Sequence, residues 1–173
     1  MPCVAVCVPL SSANWPEPSP SSLTGGELSV RGDLVFASSS RDLVVASKVD
    51  GMVVGVGIDT VDVGRFREMI ERRPSMLEKL FTEAEREYCL RHNDPAPSLS
   101  VRFAAKEATM KAMSVGLGAF GFHDVEVVSL ESGAPELRLT GEAQRLADDR
   151  GVQSWKISLS HTCSVANAIV IAE

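Results

Sequence analysis

Aromatic residues are scarce in this chain. They make up 5% of 173 residues, with one tyrosine and two tryptophans, too few for the stacking platforms on which single-stranded nucleic acids lie. Positive charge is short as well: 17 Lys and Arg face 23 Asp and Glu, for a net charge of -6 and a pI near 5.1. A general nucleic-acid binder is usually basic. No apolar run approaches the ~20 residues that cross a bilayer. Met1-Pro2-Cys3-Val4 opens without the basic stretch that precedes the apolar core of a secretory signal. There are four cysteines. Cys3 and Cys7 have the spacing of half a zinc site, but Cys89 and Cys163 lie far apart, so no compact second pair completes it. Free thiols in a reducing cytoplasm are the simpler reading. Two catalytic signatures are also missing. Without G-x-x-x-x-G-K-S/T the chain is not a P-loop NTPase. Without G-x-S-x-G, Ser160 beside His161 lacks the setting of a serine hydrolase nucleophile.

What is present suffices for one domain with its own core: 173 residues, 45% of them apolar. The chain changes character near Met52. Residues 11–26 are rich in Ser and Pro and end in Gly, a flexible composition. Residues 28–49 hold short apolar patches, 34–36 and 43–45, without a sustained period. They read either as two marginal strands or, preferably, as extra translated sequence ahead of a start at Met52. Residues 1–51 are therefore set aside as a disordered or non-native extension, and 52–173 are taken as the folded domain.

Within 52–173 the pattern is clear. The β-branched run 53–58, broken by Gly55 and Gly57, predicts a buried strand that another backbone approaches closely and that ends at Asp59. Asp62 caps a helix carrying Val63, Phe66 and Ile70 at helical spacing, stopped by Pro74. A short helical piece spans 76–81. Thr82 with Glu85 forms a capping box that opens a helix to about residue 91. A long helix is expected over 98–114, strands over 125–130 and 136–139, a helix over 142–149, and strands over 155–159 and 165–171. The order βαααββαββ, with strands gathered in hairpins, predicts an α+β fold built on a mainly antiparallel sheet.

The long helix carries the sharpest chemistry. Val101, Ala105, Ala108 and Ala112 form one apolar stripe. Arg102 and Lys106 lie one turn apart, as do Glu107 and Lys111. An alanine back lets the helix sit close to its neighbour, so its charges need not all reach open solvent. That arrangement suits a polyanion bridged to a metal ion; the alternative is a solvated surface helix. Asp59, at the end of a buried strand, either caps the next helix or serves as a metal ligand. A carboxylate buried there needs a cation or donors. Magnesium accepts one or two protein carboxylates with waters and phosphate oxygens, and Asp59 and Glu107 would supply them. Gly116-Leu117-Gly118-Ala119-Phe120-Gly121 spells G-x-G-x-x-G, but a helix precedes it and a strand follows, the reverse of the dinucleotide-binding order. A nucleotide-binding oxidoreductase is thereby disfavoured. The loop is either a flexible connection or a place where backbone N–H groups approach a ligand. Arg65, Arg67, Arg72 and Arg73 crowd the first helix, diluted by Glu68 and Glu71: a solvated face, or a dock for an acidic partner.

Three blocks together, Gly55-Val56-Gly57-Ile58-Asp59, then Arg102-Phe103-Ala104-Ala105-Lys106-Glu107-Ala108 with Lys111, then Ser158-Leu159-Ser160-His161-Thr162, resemble the holo-(acyl-carrier-protein) synthase family, the small bacterial 4'-phosphopantetheinyl transferases. The resemblance covers 52–173 and leaves 1–51 without a counterpart. It implies transfer of the phosphopantetheine arm of coenzyme A to a serine of apo acyl carrier protein, releasing adenosine 3',5'-bisphosphate. Asp59 and Glu107 match the family's magnesium ligands and, with Lys111, its catalytic residues. Arg102, Lys106 and Lys111 lie where the family meets coenzyme A phosphates or the reacting centre. Gly116, Gly118 and His161 would border the coenzyme. Arg65 and Arg72 match arginines that dock the carrier protein's acidic recognition helix. The resemblance also implies a cytoplasmic homotrimer with sites between protomers, with no nucleic-acid or membrane partner. A rival within the same fold is a silent module that binds coenzyme A or a carrier protein; it would need a broken carboxylate pair, and both acids are present.

Overall fold

The computed structural model describes residues 29–31, 34–36 and 52–173, and the chain divides into two compact units, one of them Val8–Met52 and the other holding Val53–Glu173. In the first, β1 (Ser29–Arg31) and β2 (Leu34–Phe36) pair antiparallel, with Val30 opposite Val35. The apolar patch at 34–36 is therefore a strand; the patch at 43–45 lies outside the described residues.

In the second unit the order is β3 (Gly55–Asp62), α1 (Val63–Arg72), α2 (Ser75–Leu80), α3 (Glu83–Leu90), α4 (Ala96–Ala112), a 3-10 turn (Phe122–Asp124), β4 (Val125–Ser129), β5 (Pro135–Leu139), α5 (Gly141–Asp149), β6 (Trp155–His161) and β7 (Val165–Ala172). The α+β expectation holds, and every ladder is antiparallel: a three-stranded sheet ordered β3-β7-β6, and the β4-β5 hairpin. The order differs from the expected string in one respect. Four helices follow β3 rather than three, because the short piece at 75–80 is a helix of its own, entered from Pro74.

Alanine and glycine decide how α4 meets the sheet. Ala105, Ala108 and Ala112 are buried on α4, and Ala166, Ala168 and Ala172 are buried on the facing side of β7. Small residues on both surfaces draw helix and sheet together. At Gly57 an added Cβ would collide with the Ala108 carbonyl oxygen, and at Gly55 with that of Ala112. Only glycine tolerates this separation. A helix that begins with Pro97 in its first turn and continues through alanines has high intrinsic propensity. It stops where Ser114 takes the left-handed conformation at φ 53° and the Val115 N–H donates to the Met110 carbonyl.

The few aromatic residues are concentrated. Phe66 of α1 meets Phe81 (ring centroids 6.2 Å apart) and Phe103 of α4 (5.6 Å), and Phe103 meets Phe122 (5.6 Å). Offset and edge contacts of this kind add to the area they bury, and these four rings tie α1, α4 and the 3-10 turn into one unit. The two caps expected at the starts of helices are present. Asp62 Oδ1 accepts the Arg65 N–H at 2.8 Å, and Thr82 and Glu85 exchange capping-box hydrogen bonds.

Candidate active site

Period-two alternation on β3 turns Asp59 toward α4, leaving its side chain 10% exposed. Across from it, the i to i+4 spacing of α4 brings Glu107 and Lys111 onto one edge of the helix. Lys111 Nζ lies 2.7 Å from Asp59 Oδ1 and donates also to the Ile58 carbonyl oxygen at 3.0 Å. Glu107 is half-buried and has no hydrogen-bond or ion-pair partner among the described residues. Burial pushes its carboxyl pKa up, and the neighbouring Asp59 charge pushes it further, against the pull of Lys111. One ammonium thus pairs with Asp59 and acts on Glu107 only through its field. A divalent cation would relieve both the desolvation and the repulsion, and two carboxylates open to further ligands fit magnesium with phosphate oxygens. Among the described residues no group of three or more His, Cys, Asp and Glu is placed to hold a metal, so the geometry is not that of a closed structural zinc site.

Lys106 lies apart from Asp59 and Lys111. It is fully buried on the neighbouring flank of α4, with Nζ 2.8 Å from Glu85 Oε2 and donating to the carbonyls of Phe122 (2.7 Å) and Val125 (2.5 Å). One residue along a helix is a turn of about 100°, enough to take position 106 away from the Glu107 edge and into the core. Desolvation lowers the Lys106 pKa while Glu85 opposes that fall. Glu85 also accepts the N–H groups of Thr82 (3.0 Å) and Val127 (3.0 Å). The pair welds α3, α4 and β4 together.

Arg102 has little exposed surface (4%), yet it borders a cleft of about 260 Å³ shared with Tyr88, Arg91, Ser129 and Arg138. Its guanidinium lies 4.3 Å from the Tyr88 ring centroid and donates to Ser98 and Ser129, while its Nε has no partner. Sequence reasoning missed Glu85, Tyr88, Ser98 and Arg138 as companions of these cations. Glu85 carried a signal, but it was fully accounted for by the capping box. The others came with none.

Gly116 and Gly118 follow α4 directly. Gly118 has φ 90°, and a side chain at either position would meet nothing within 4 Å. The strand that follows is β4 and the element before is a helix, so the loop lacks the dinucleotide-binding order. His161 is exposed at the end of β6, opposite Ala166, with β7 between it and the strand of Asp59. Within one chain it therefore stands apart from the Asp59–Glu107–Lys111 cluster. Arg65 and Arg72 lie two turns apart on the exposed side of α1. Among the described residues Arg72 pairs only with solvent-exposed Glu68, whereas Arg67 is taken up by a bidentate bridge to Asp94. Cys89 is a free thiol in the core whose pKa burial raises. Cys163 is disulfide-bonded, contrary to the free-thiol reading.

The α+β domain thus sets a strand carboxylate, Asp59, against Lys111 of α4, with the Glu107 carboxyl one turn away on the same helix. Residues 55–166 match the model of the 4'-phosphopantetheinyl transferase superfamily, and the chain belongs to that family. A holo-(acyl-carrier-protein) synthase of Micrococcus luteus is 46% identical over 123 residues, 70% of this chain and 93% of that protein. The crystal structure of the Neisseria meningitidis holo-(acyl-carrier-protein) synthase is similar at a TM-score of 0.65 and 27% identity, covering 70% of this chain and 99% of that one. The Helicobacter pylori synthase, solved in complex with coenzyme A, matches at a TM-score of 0.61 and 31% identity, over 68% and 99%.

Proposed function

We propose that this chain is a holo-(acyl-carrier-protein) synthase, which moves 4'-phosphopantetheine from coenzyme A to a serine of apo acyl carrier protein and so serves fatty-acid biosynthesis in the cytoplasm. The observation that carries the reading is the juxtaposition of Asp59, Glu107 and Lys111 at the meeting of β3 and α4, in a chain of this family. The relatives are synthases of this name, and one was solved with coenzyme A bound.

Asp59 and Glu107 would hold magnesium, which when bound supplies charge neutralisation at the pyrophosphate being split. Lys111, a mobile cation at the edge of the pair, meets the charge that develops on the leaving phosphate oxygens. The serine hydroxyl attacks the phosphorus that carries the pantetheine arm, the bond to the bridging oxygen breaks, and adenosine 3',5'-bisphosphate leaves. The serine proton passes to Glu107 through a water, or to an acid of the carrier protein. Arg102 borders a cleft that carries Arg91 and Arg138 beside Glu87 and Glu126, and these guanidinium groups suit the anionic nucleotide half of coenzyme A. The open backbone at Gly116 and Gly118 leaves room for a ligand beside the Lys111 end of α4. The decisive experiment is intact-mass spectrometry of apo carrier protein incubated with this chain, coenzyme A and magnesium. A gain of one phosphopantetheine that EDTA suppresses is expected; no gain on several carrier proteins from a folded sample defeats the reading.

A homotrimer with sites between protomers goes with this function. Val56, Ile58 and Ile169 are 59%, 57% and 42% exposed on the outer face of the three-stranded sheet, an apolar patch of the kind that assembly covers. His161, remote from Asp59 within a chain, would reach a neighbour's coenzyme. Two inactive variants, Asp59→Ala and His161→Ala, are then expected to restore part of the activity when unfolded and refolded together, because a mixed oligomer rebuilds some intact sites. Absence of any recovery in co-refolded oligomers places both residues in the same chain's site.

Exposed Arg65 and Arg72 suit the acidic face of the carrier protein. Arg65→Ala is expected to raise KM for the carrier protein about tenfold, with a stronger salt dependence lost, and to leave KM for coenzyme A unchanged. The reverse pattern removes Arg65 from docking.

A further inference from the structure

We propose that Lys111 is a placeholder for the divalent cation: its ammonium holds Asp59 in the metal-free enzyme and releases that carboxylate when the cation arrives. This rests on the reading that Asp59 and Glu107 bind a divalent metal. The ammonium sits where a cation belongs, 2.7 Å from Asp59 Oδ1 and 3.0 Å from the Ile58 carbonyl oxygen. Among the described residues it is the one cation paired with Asp59, a side chain only 10% exposed that would otherwise be a lone charge facing Glu107. The two lysines of α4 differ in a way that separates their roles. Lys106 is locked, fully buried, with three acceptors. The Lys111 side chain is 53% exposed and held at its tip alone, so rotation about its four-carbon stem frees it without disturbing the core.

The charge count gives the exchange its direction. Two carboxylates and one ammonium leave the pocket with a net negative charge, which favours replacement of the ammonium by a doubly charged ion. The displaced ammonium remains tethered one helical turn from Glu107, at the rim where the pyrophosphate brings its own negative charge. One side chain thereby stabilises the empty carboxylate pair and later meets the substrate.

Side-chain nitrogen NMR of the full chain labelled at its lysine ammonium groups, followed during titration with magnesium alone, tests this. The Lys111 resonance is assigned by its loss in Lys111→Met. It is expected to leave its hydrogen-bonded position and move toward that of exposed Lys79 as magnesium saturates, while Lys106 stays fixed. By calorimetry, Lys111→Met should bind magnesium roughly fivefold more tightly than wild type, the gain from removing a half-exposed competitor. Carboxyl resonances of Asp59 and Glu107 are recorded in the same titration. If they report magnesium while Lys111 does not move, the placeholder role is overturned and the transferase reading stands. If neither carboxyl responds, the metal assignment falls and the placeholder role with it, and the mass assay separately decides whether transfer occurs.

Discussion

Asp59→Ala and Glu107→Ala are each expected to slow phosphopantetheine transfer by roughly 10²–10³-fold, with folded protein retained in both. The two losses would have the same origin, since each variant halves the carboxylate pair proposed to hold magnesium. The pair acts as a unit, so the double variant should be little worse than either single one. A single variant with near-normal turnover removes that residue from the site. Glu107 makes a second measurement possible. Its pKa in the fold is raised, mainly by burial and then by Asp59. A carboxyl with a raised folded pKa favours the fold fully below its unfolded pKa, and that advantage is lost as pH rises through the folded value. Above the ordinary carboxylate range Glu107 is therefore a cost to the metal-free protein. Glu107→Gln, which carries no charge, should melt at a higher Tm than wild type near pH 7 while failing to transfer. The difference should close as pH falls below the ordinary carboxylate range. Magnesium should stabilise wild type and leave Glu107→Gln nearly unaffected. A residue kept at a cost to stability is what a functional carboxylate implies.

The legible parts of the fold were those in which local pattern and tertiary role coincide. The Asp62 cap, the Thr82–Glu85 capping box and the alanine stripe of α4 follow from local pattern, and the structure uses each as read, whereas the strand expected to end at Asp59 runs on to Asp62 because its ladder with β7 continues to Val165. Gly55 and Gly57 signalled a close approach, and the partner proved to be the backbone of α4 itself. The juxtaposition of Glu107 with Lys111 followed from helical spacing, whereas that of Lys111 with Asp59 was not read and emerges from the close β3–α4 packing. The burial of Lys106 was not legible because nothing local distinguishes a lysine that will be buried from one that will not. Its partner stands 21 positions earlier, and the capping box already supplied a sufficient reason for that glutamate to be there. The cleft beside Arg102 was hidden for the same reason. Tyr88, Ser129 and Arg138 come from three different elements, and only the packed chain brings them together.

Lys106→Met is expected to destabilise the domain by about 3–5 kcal/mol, the second large effect. Methionine fills the volume of the lysine stem, so the loss is one of charge. Glu85, fully buried, would keep its two backbone donors, Thr82 and Val127, but face no cation. Glu85→Leu should cost a comparable amount for the converse reason, since it leaves an ammonium with only the Phe122 and Val125 carbonyls and also removes half of the capping box. The double variant should recover much of the combined loss, because neither charge is then buried alone, and urea unfolding of all four proteins gives the coupling directly. Strict additivity contradicts a buried pair. The same four proteins separate the two readings of Lys106. A coenzyme contact predicts that every variant lacking Lys106 has a raised KM for coenzyme A, whatever its stability. A core pair predicts that Lys106→Met/Glu85→Leu, once folded at low temperature, binds coenzyme A as wild type does. The second outcome follows from the geometry: an ammonium with no exposed surface, on the flank of α4 turned away from Glu107, has no path to a phosphate.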